Sequence, residues 1–341
     1  MKTGIAFYPF GRFDGKNCYI KSTKKILSEK HRLSAYVHGT GAISAVRRNR
    51  YLFLNWFEYY LTLTDKLILL LARLMGRKII WTFHDALPHE DETKKAERNL
   101  YFMCRISTSI ILLSRASKTE LARIAKNRSD VLTKAVYIPH INYCEDYLPG
   151  KDTPERTADS PFTFLYFGNI RPYKNLELLI RTFRSFNGMN AYLIIAGSPM
   201  NAQYAKKIKR LCGDDPQIHL DFRYVPDKEV FDYMQKADVV VLPHDKRSGM
   251  NSGAMIAAFS CRKPVIISDI AMARDYRKKE YVYQYSYQCA DEHEAALKET
   301  MLRAYEAGRE QNRDLGMTAY HEVQLYNSKD IVQEKLQGIL P

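Results

Sequence analysis

Two cations sit between an apolar run and a helical one. Over 162–180 the chain reads Phe162-Thr-Phe-Leu-Tyr-Phe-Gly168, then Asn169-Ile-Arg171-Pro-Tyr-Lys174, then Asn-Leu176-Glu-Leu-Leu179-Ile180. Leu176, Leu179, Ile180, Phe183 and Phe186 recur at helical spacing, so the stretch reads as a buried strand, a tight turn and a helix packed back on the sheet. Arg171 and Lys174 precede a helix start whose free N–H groups already favour anions. A diphosphate suits this place; a pair of solvated loop charges is the plainer alternative. Ser252-Gly253 opens a second helical stretch, with Ser252 as a simple N-cap, an anion-binding group, or both. A third group, Asn55-Trp-Phe-Glu58 with His84-Asp85, follows apolar runs. Carboxylates and an imidazole at strand ends suit proton transfer from a bound hydroxyl. For His84 the plainer alternative is a hydrogen-bonded His at a strand end, and for Trp56 it is a core position.

The elements that must position these residues alternate. Strands are expected over 5–10, 33–37, 51–57, 78–83, 109–113 and 136–138. Helices are expected over 19–30, 65–75, 90–105 and 118–126, the second of them apolar on most sides, and Arg47, Arg48 and Arg50 read as a basic turn. A run rich in proline and charge over 149–161 marks a boundary. The pattern then restarts, with strands over 162–167, 191–196, 218–225, 238–243 and 264–268 and an edge strand over 281–285. Helices fall over 176–186, 202–212, 227–236, 252–261, 292–308 and from 314 to the end. The alternation predicts an α/β protein of two doubly wound, mostly parallel sheets with a cleft between the halves. Ligands of such sheets sit at the carboxyl ends of the strands, where Asn55–Glu58, His84-Asp85 and Pro139-His140 fall.

The 341 residues are 46% hydrophobic and 26% charged, an ordinary globular composition that excludes disorder. The net charge of +14 is uneven: residues 1–160 hold 27 Lys/Arg against 16 Asp/Glu, net +11, and residues 161–341 hold 25 against 22, net +3. The basic half calls for an anionic partner: a phosphate-bearing substrate, an anionic membrane surface or nucleic acid. Lys21, Lys24, Lys25, Arg47, Arg48 and Arg50 make a candidate membrane patch, with a solvated face as the plainer alternative. The chain has no compact nucleic-acid motif, so nucleic acid is not expected as a partner. Six scattered cysteines read as reduced thiols of a cytoplasmic chain. The start is too short in apolar length for a signal peptide. The apolar run 67–74 is far shorter than the roughly 20 residues of a membrane span. A cytoplasmic chain is expected, soluble or peripheral on the inner face of the membrane.

These motifs resemble the GT-B glycosyltransferases, in particular the family 4-like enzymes of bacterial polysaccharide synthesis. The resemblance covers nearly the whole chain and is strongest over 162–270. It implies two Rossmann-like domains facing a cleft: an acceptor-binding domain at 1–150, a nucleotide-sugar-binding domain at 151–320, and a C-terminal helix at 321–341 that packs back on the first. It further implies transfer of a hexose from a UDP- or GDP-sugar to a glycan, a lipid-linked oligosaccharide in exopolysaccharide, capsule or cell-surface glycan synthesis. The nucleotide-sugar is then a co-substrate and no other cofactor is implied.

Gly168-Asn-Ile-Arg-Pro-Tyr-Lys174 resembles the family's phosphate loop. Lys174 falls on the family lysine, while Asn169 takes the usual arginine place and Arg171 stands two later. Gly197, Val225 in Arg223-Tyr-Val-Pro-Asp-Lys-Glu229, and Asn251, Ser252 and Gly253 complete the implied donor-binding set. Asn17 and Tyr19, in Asp14-Gly-Lys-Asn-Cys-Tyr19, resemble the first loop, which approaches donor phosphates and acceptor. Asn55-Trp-Phe-Glu58 and Thr82-Phe-His-Asp-Ala-Leu-Pro-His-Glu90 resemble acceptor-side motifs, which makes Asp85, His84 and Glu58 the implied catalytic group. No Asp-x-Asp of the metal-using kind is present, so no metal is expected. The family's pair of glutamates would fall near Gly249 and Ala257, and neither is acidic. Two alternatives stay open: a catalytically silent nucleotide-sugar-binding homologue, and a sugar-nucleotide epimerase on the same scaffold.

Overall fold

The structure, a computed structural model, describes residues 2–10, 17–85, 93–147, 160–186, 188–246 and 249–341. It divides into two compact units, Met1–Ile141 with Asn327–Pro341, and Asn142–Tyr326. The boundary run expected over 149–161 lies almost wholly outside the described residues.

The first unit holds strands β1 (Gly4–Tyr8), β2 (Arg32–Ala35), β3 (Tyr51–Asn55), β4 (Lys78–Phe83), β5 (Ser109–Leu112) and β6 (Ala135–Tyr137). All are parallel, in the order β2-β1-β3-β4-β5-β6. The whole of β3 is buried, as is β4 after its first residue. Helices on both faces of a parallel sheet require this, and it is why these strands read as unbroken apolar runs. Helices α1 (Cys18–Lys30), α2 (Ala42–Arg48), α3 (Leu63–Leu74) and α4 (Thr93–Ile106) join them. From β1 the chain steps to β2 in one direction; from β3 it steps through β4 to β5 in the other. Right-handed crossovers then put α1 on one face and α3 and α4 on the opposite face. The helix Lys329–Gln337 lies against α1, and Gln333 donates to Glu29 at 3.1 Å.

One expectation is corrected here. Arg47 and Arg48 are not in a turn but end α2, where cations suit the negative end of the helix dipole. Ala42, Ala45 and Val46 bury its inner side.

The second unit holds β7 (Phe162–Phe167), β8 (Ala191–Ala196), β9 (Ile218–Asp221), β10 (Val239–Leu242), β11 (Val265–Ser268) and β12 (Val282–Tyr285). These too are parallel, in the order β12-β11-β10-β7-β8-β9, with β12 the expected edge strand. β9 stops at Asp221, short of the expected Val225. The Asp221 carboxylate draws Arg223 back at 3.0 Å and turns the chain toward the helix Asp227–Lys236. The expected last helix, from 314 to the end, is two helices, Gly308–Tyr326 and Lys329–Gln337. Asn327 breaks the run by donating to the His140 carbonyl at 2.8 Å, and Ser328 caps the next helix.

At the ends of β7 and β8 two backbones nearly touch. Gly197 has φ 149°, and a Cβ there would stand 1.8 Å from the Gly168 carbonyl oxygen. Gly197→Ala therefore costs about 3 kcal/mol or more. At Gly213, φ is 58° and nothing lies within 4 Å, so Gly213→Ala costs only about 1 kcal/mol. Urea unfolding of both variants checks the contrast; equal losses would contradict the close approach.

Candidate functional site

In the second unit the residues singled out from the sequence gather at the carboxyl ends of four adjacent strands. Gly168, Asn169, Arg171 and Lys174 follow β7, Gly197 follows β8, Val225 follows β9, and Asn251, Ser252 and Gly253 follow β10. The chain runs from β7 through β8 to β9, then returns to β10 on the other side of β7. The strand order thus reverses between β7 and β10, the place where open α/β sheets bind ligands. The loops after these two strands are laced together. The Asp245 N–H donates to the Tyr173 carbonyl at 2.8 Å, and the Asn175 amide donates to the Pro243 carbonyl at 3.0 Å. Lys174 Nζ stands 3.0 Å from Nε2 of the buried His244. An ammonium can only donate, so this contact requires Nε2 to be the unprotonated ring nitrogen.

Gly168 approaches the start of the helix Gly253–Ser260: a Cβ on it would stand 3.8 Å from Cβ of Ala254. The half-buried Arg171, the Lys174 ammonium and a helix N-terminus are therefore at the same end of one sheet. Ser252 is buried, and its Oγ accepts from the Met255 N–H at 3.3 Å, so it does cap this helix. Ala257 is buried and offers no polar group. Val225 is buried just ahead of Pro226, and the nearby Arg223 is engaged with Glu229 at 2.6 Å. Two cavities of about 750 and 660 Å³ open in this unit, neither lined by Gly168, Arg171, Lys174 or Ser252.

The sequence reading gave His244 no role of its own. It follows the apolar run of β10, and only the pairing of β10 with β7 sets it against Lys174. Parts of the quoted motifs, residues 14–16 and 86–90, lie outside the described residues.

The first unit has its own reversal, between β1 and β3. The buried Asn55 donates its amide N–H to the Tyr8 carbonyl at 2.9 Å, which turns its amide oxygen to His84 Nε2 at 3.2 Å. Nε2 then carries the proton and Nδ1 is the acceptor nitrogen. Trp56, held in the left-handed region at φ 49°, stacks on the His84 ring at 3.8 Å. Tyr19 packs edge-on against His84 at 5.2 Å and beside His140 at 5.1 Å. Burial, with His140 adding to it, drives His84 well below the usual imidazole range. Burial also brings His140 down to about 4, so both rings are neutral at pH 7. Burial pushes the Tyr19 hydroxyl up to about 12. Asn17 caps α1, accepting from the Ile20 N–H at 3.2 Å.

Asp85 is half-buried and accepts from the Tyr59 hydroxyl at 3.2 Å. Glu58 is enclosed: Oε2 accepts from Trp81 Nε1 at 2.9 Å, and its carbonyl accepts from the Asn99 amide of α4 at 3.1 Å. Burial above all, with a contribution from the Asp85 charge, pushes its carboxyl up to about 8. The structure thus groups His84 with Asn55, Trp56 and Tyr19, and Glu58 with Trp81 and Asn99. Among the described residues no cluster of three or more His, Cys, Asp or Glu is placed to hold a metal ion.

The model of the family described as "Glycosyl transferases group 1" matches residues 151–322. Two curated proteins of Xanthomonas campestris pv. campestris, each described as a GDP-mannose:glycolipid 4-beta-D-mannosyltransferase, are 26% identical over 226 residues, 63% of this chain and 60% of each relative. The chain thus spans about 60% of the length of the curated relatives it matches. Among solved structures it is similar to Anabaena Alr3699/HepE in complex with UDP (TM-score 0.74, 14% identity, 100% of this chain and 99% of that one). It is also similar to the sucrose-phosphate synthase of Thermosynechococcus elongatus (TM-score 0.72, 14% identity, 99% and 98%). At these identities the likeness shows the fold: two α/β domains of the GT-B kind.

Glu58 generates a pH prediction. Its folded pKa of about 8 lies above the ordinary 4.5, so its contribution to stability is fully present below pH 4.5 and is lost as pH rises through 8. Glu58→Gln cannot ionise. Relative to the parent it gains on the order of 3 kcal/mol between pH 5 and pH 8.5, read from urea midpoints at the two pH values. Parallel profiles for parent and variant would contradict the raised pKa.

Proposed function

The chain belongs to the glycosyl transferases group 1 family, and on that footing we propose that it moves a hexose from a nucleoside-diphosphate sugar to a lipid-borne glycan. The observation that carries this is the Lys174–His244 contact at the strand reversal, beside the Gly253 helix start. Arg171, Lys174 and the helix N–H groups stabilise the leaving diphosphate as the bond to the anomeric carbon breaks. Gly168, Asn169 and Gly197 let the phosphates approach the backbone. Asn251 and Ser252 take sugar or phosphate oxygens, and Val225 meets the base through its main chain.

Residues 151–320 serve the donor and residues 1–150 the acceptor, with the C-terminal segment 321–341 completing the acceptor side. Neutral His84, whose acceptor nitrogen is Nδ1, and the Asp85 carboxylate aim and deprotonate the acceptor hydroxyl. Glu58, protonated at pH 7, positions this group. Asn17 holds the start of α1, and Tyr19 packs behind His84.

The relatives' description favours GDP-mannose as the first donor to test, with UDP-sugars next, and a glycolipid as the acceptor. The +11 charge of residues 1–160 suits work at the inner face of an anionic membrane in exopolysaccharide, capsule or cell-surface glycan assembly. Neutral Gly249 and Ala257 in place of acidic side chains favour one second reading, a homologue that binds the donor without transfer.

Nucleoside diphosphate release from GDP-mannose and from UDP-glucose, with and without a lipid-linked oligosaccharide, decides the matter. Turnover with one donor, only when acceptor is present, is expected. Lys174→Ala lowers kcat/KM by about 10²–10³-fold at an unchanged melting temperature. Binding without release would mark the silent homologue, and an altered sugar nucleotide without acceptor would mark an epimerase.

A further inference from the structure

The outward side of α3, where polar residues are expected, is leucine. Leu63, Leu67, Leu70, Leu71 and Leu74 fall within one arc of about 100° around the axis, and they are 45 to 86% exposed. The opposite side, Asp65, Ile68, Leu69 and Ala72, is buried. The helix therefore packs on its sheet with one apolar face and turns a second outward. Apolar surface of this extent on a soluble domain marks an interaction site. It extends beyond α3: Tyr60 precedes the helix, Met75 ends it, and Ile43 is on α2, which packs on α3; all three are exposed.

The charges bordering the leucines are positive. Lys66 and Arg73 are on α3, Arg47 and Arg48 end α2, and Arg77 and Lys78 follow α3. The Arg77 guanidinium donates to the Arg47 carbonyl at 3.1 Å, which ties the two helix ends together. The one acid on α2 or α3, Asp65, is buried. It closes the capping box with Thr62 and accepts from the Gly39 N–H at 2.9 Å. Lys21, Lys24 and Lys25 are on α1, across the sheet from Arg47 and Arg48, and Arg50 directly precedes β3, so the six cations read as one patch from sequence do not share a face.

We propose that α3 docks flat on an anionic lipid bilayer, its leucines at the boundary between headgroups and acyl chains and the flanking cations on lipid phosphates. With 12 residues it is too short to span, which takes roughly 20, and lies in the interface plane instead. A second copy of the chain is the poorer occupant, because its like surface would bring the cations of α2 and α3 onto cations, and neither helix carries an exposed acid to pair them. The purpose of the docking rests on the lipid-borne acceptor proposed above; the surface itself does not.

Co-sedimentation with phosphatidylglycerol–phosphatidylcholine vesicles, without sugar nucleotide or acceptor, tests it. The parent is expected to bind these at least about tenfold more tightly than pure phosphatidylcholine vesicles, and less tightly in high salt. Leu67→Gln with Leu74→Gln is expected to weaken binding by about tenfold or more, with an unchanged melting temperature. In a separate variant, Leu70→Trp, the indole emission shifts to the blue on vesicles and is quenched by brominated acyl chains. Absent binding, equal binding of parent and double variant, or an unquenched indole overturns the proposal. A concentration-dependent dimer lost in the double variant, without vesicle binding, assigns the stripe to a second copy instead. Nucleotide binding measured on the same samples stands or falls separately, so failure here is distinguishable from failure of the transferase reading.

Discussion

The Lys174 ammonium donates to Nε2 of His244 at the point where the strand order of the second sheet reverses. Much of that end of the unit follows from this placement. β7 and β10 must be neighbours for it to exist, and the loops after them are held together by the Tyr173–Asp245 and Asn175–Pro243 hydrogen bonds. Gly197 must lack a side chain for β7 and β8 to end so close together, and Gly168 turns at φ 132°, a backbone conformation that side chains disfavour. The helix that begins at Gly253 then brings its unpaired N–H groups to the same place. A cation fixed beside a helix N-terminus is a prepared anion site, and the leaving group of glycosyl transfer from a sugar nucleotide is an anion.

The first unit prepares a different chemistry with the same topology. Asn55 fixes the His84 tautomer by donating to Tyr8 and accepting from the ring. Trp56, stacked above, holds the ring plane. Burial keeps His84 neutral and Glu58 protonated at pH 7. Glu58 thus sits in the opposite ionisation state to the one it would take in water, while His84 loses the small charged fraction it would have there, and environments of that kind separate acid and base roles. The same unit carries the leucine face of α3 on the sheet side opposite α1.

Much of this was legible in the sequence because parallel strands covered on both faces leave unbroken apolar runs such as those of β3, β4 and β7. The loop from Gly168 to Lys174 was legible for the same reason: glycine, cation and helical period occur within a few residues. What depends on strand order was not. His244 is 70 positions from Lys174 in the chain, and only the pairing of β7 with β10 makes them partners. Arg47 and Arg48 read as a turn because α2 is only 7 residues long, too short for its period to declare itself. Glu58 read as a strand-end carboxylate; its enclosure comes from Trp81 of β4 and Asn99 of α4, 23 and 41 residues further on. The apolar character of α3 was visible, but which leucines face outward required the packing.

Titration calorimetry with a nucleoside, its monophosphate and its diphosphate tests the central claim most directly, run in the guanosine and uridine series on the parent and on Lys174→Met. The diphosphate is predicted to bind at least about tenfold more tightly than the monophosphate, a difference of about 1.4 kcal/mol or more, and the nucleoside more weakly still. Lys174→Met is predicted to bring the diphosphate down to the level of the monophosphate. Equal affinities across the series, or a diphosphate indifferent to the loss of Lys174, would contradict a phosphate site at the β7–β10 reversal.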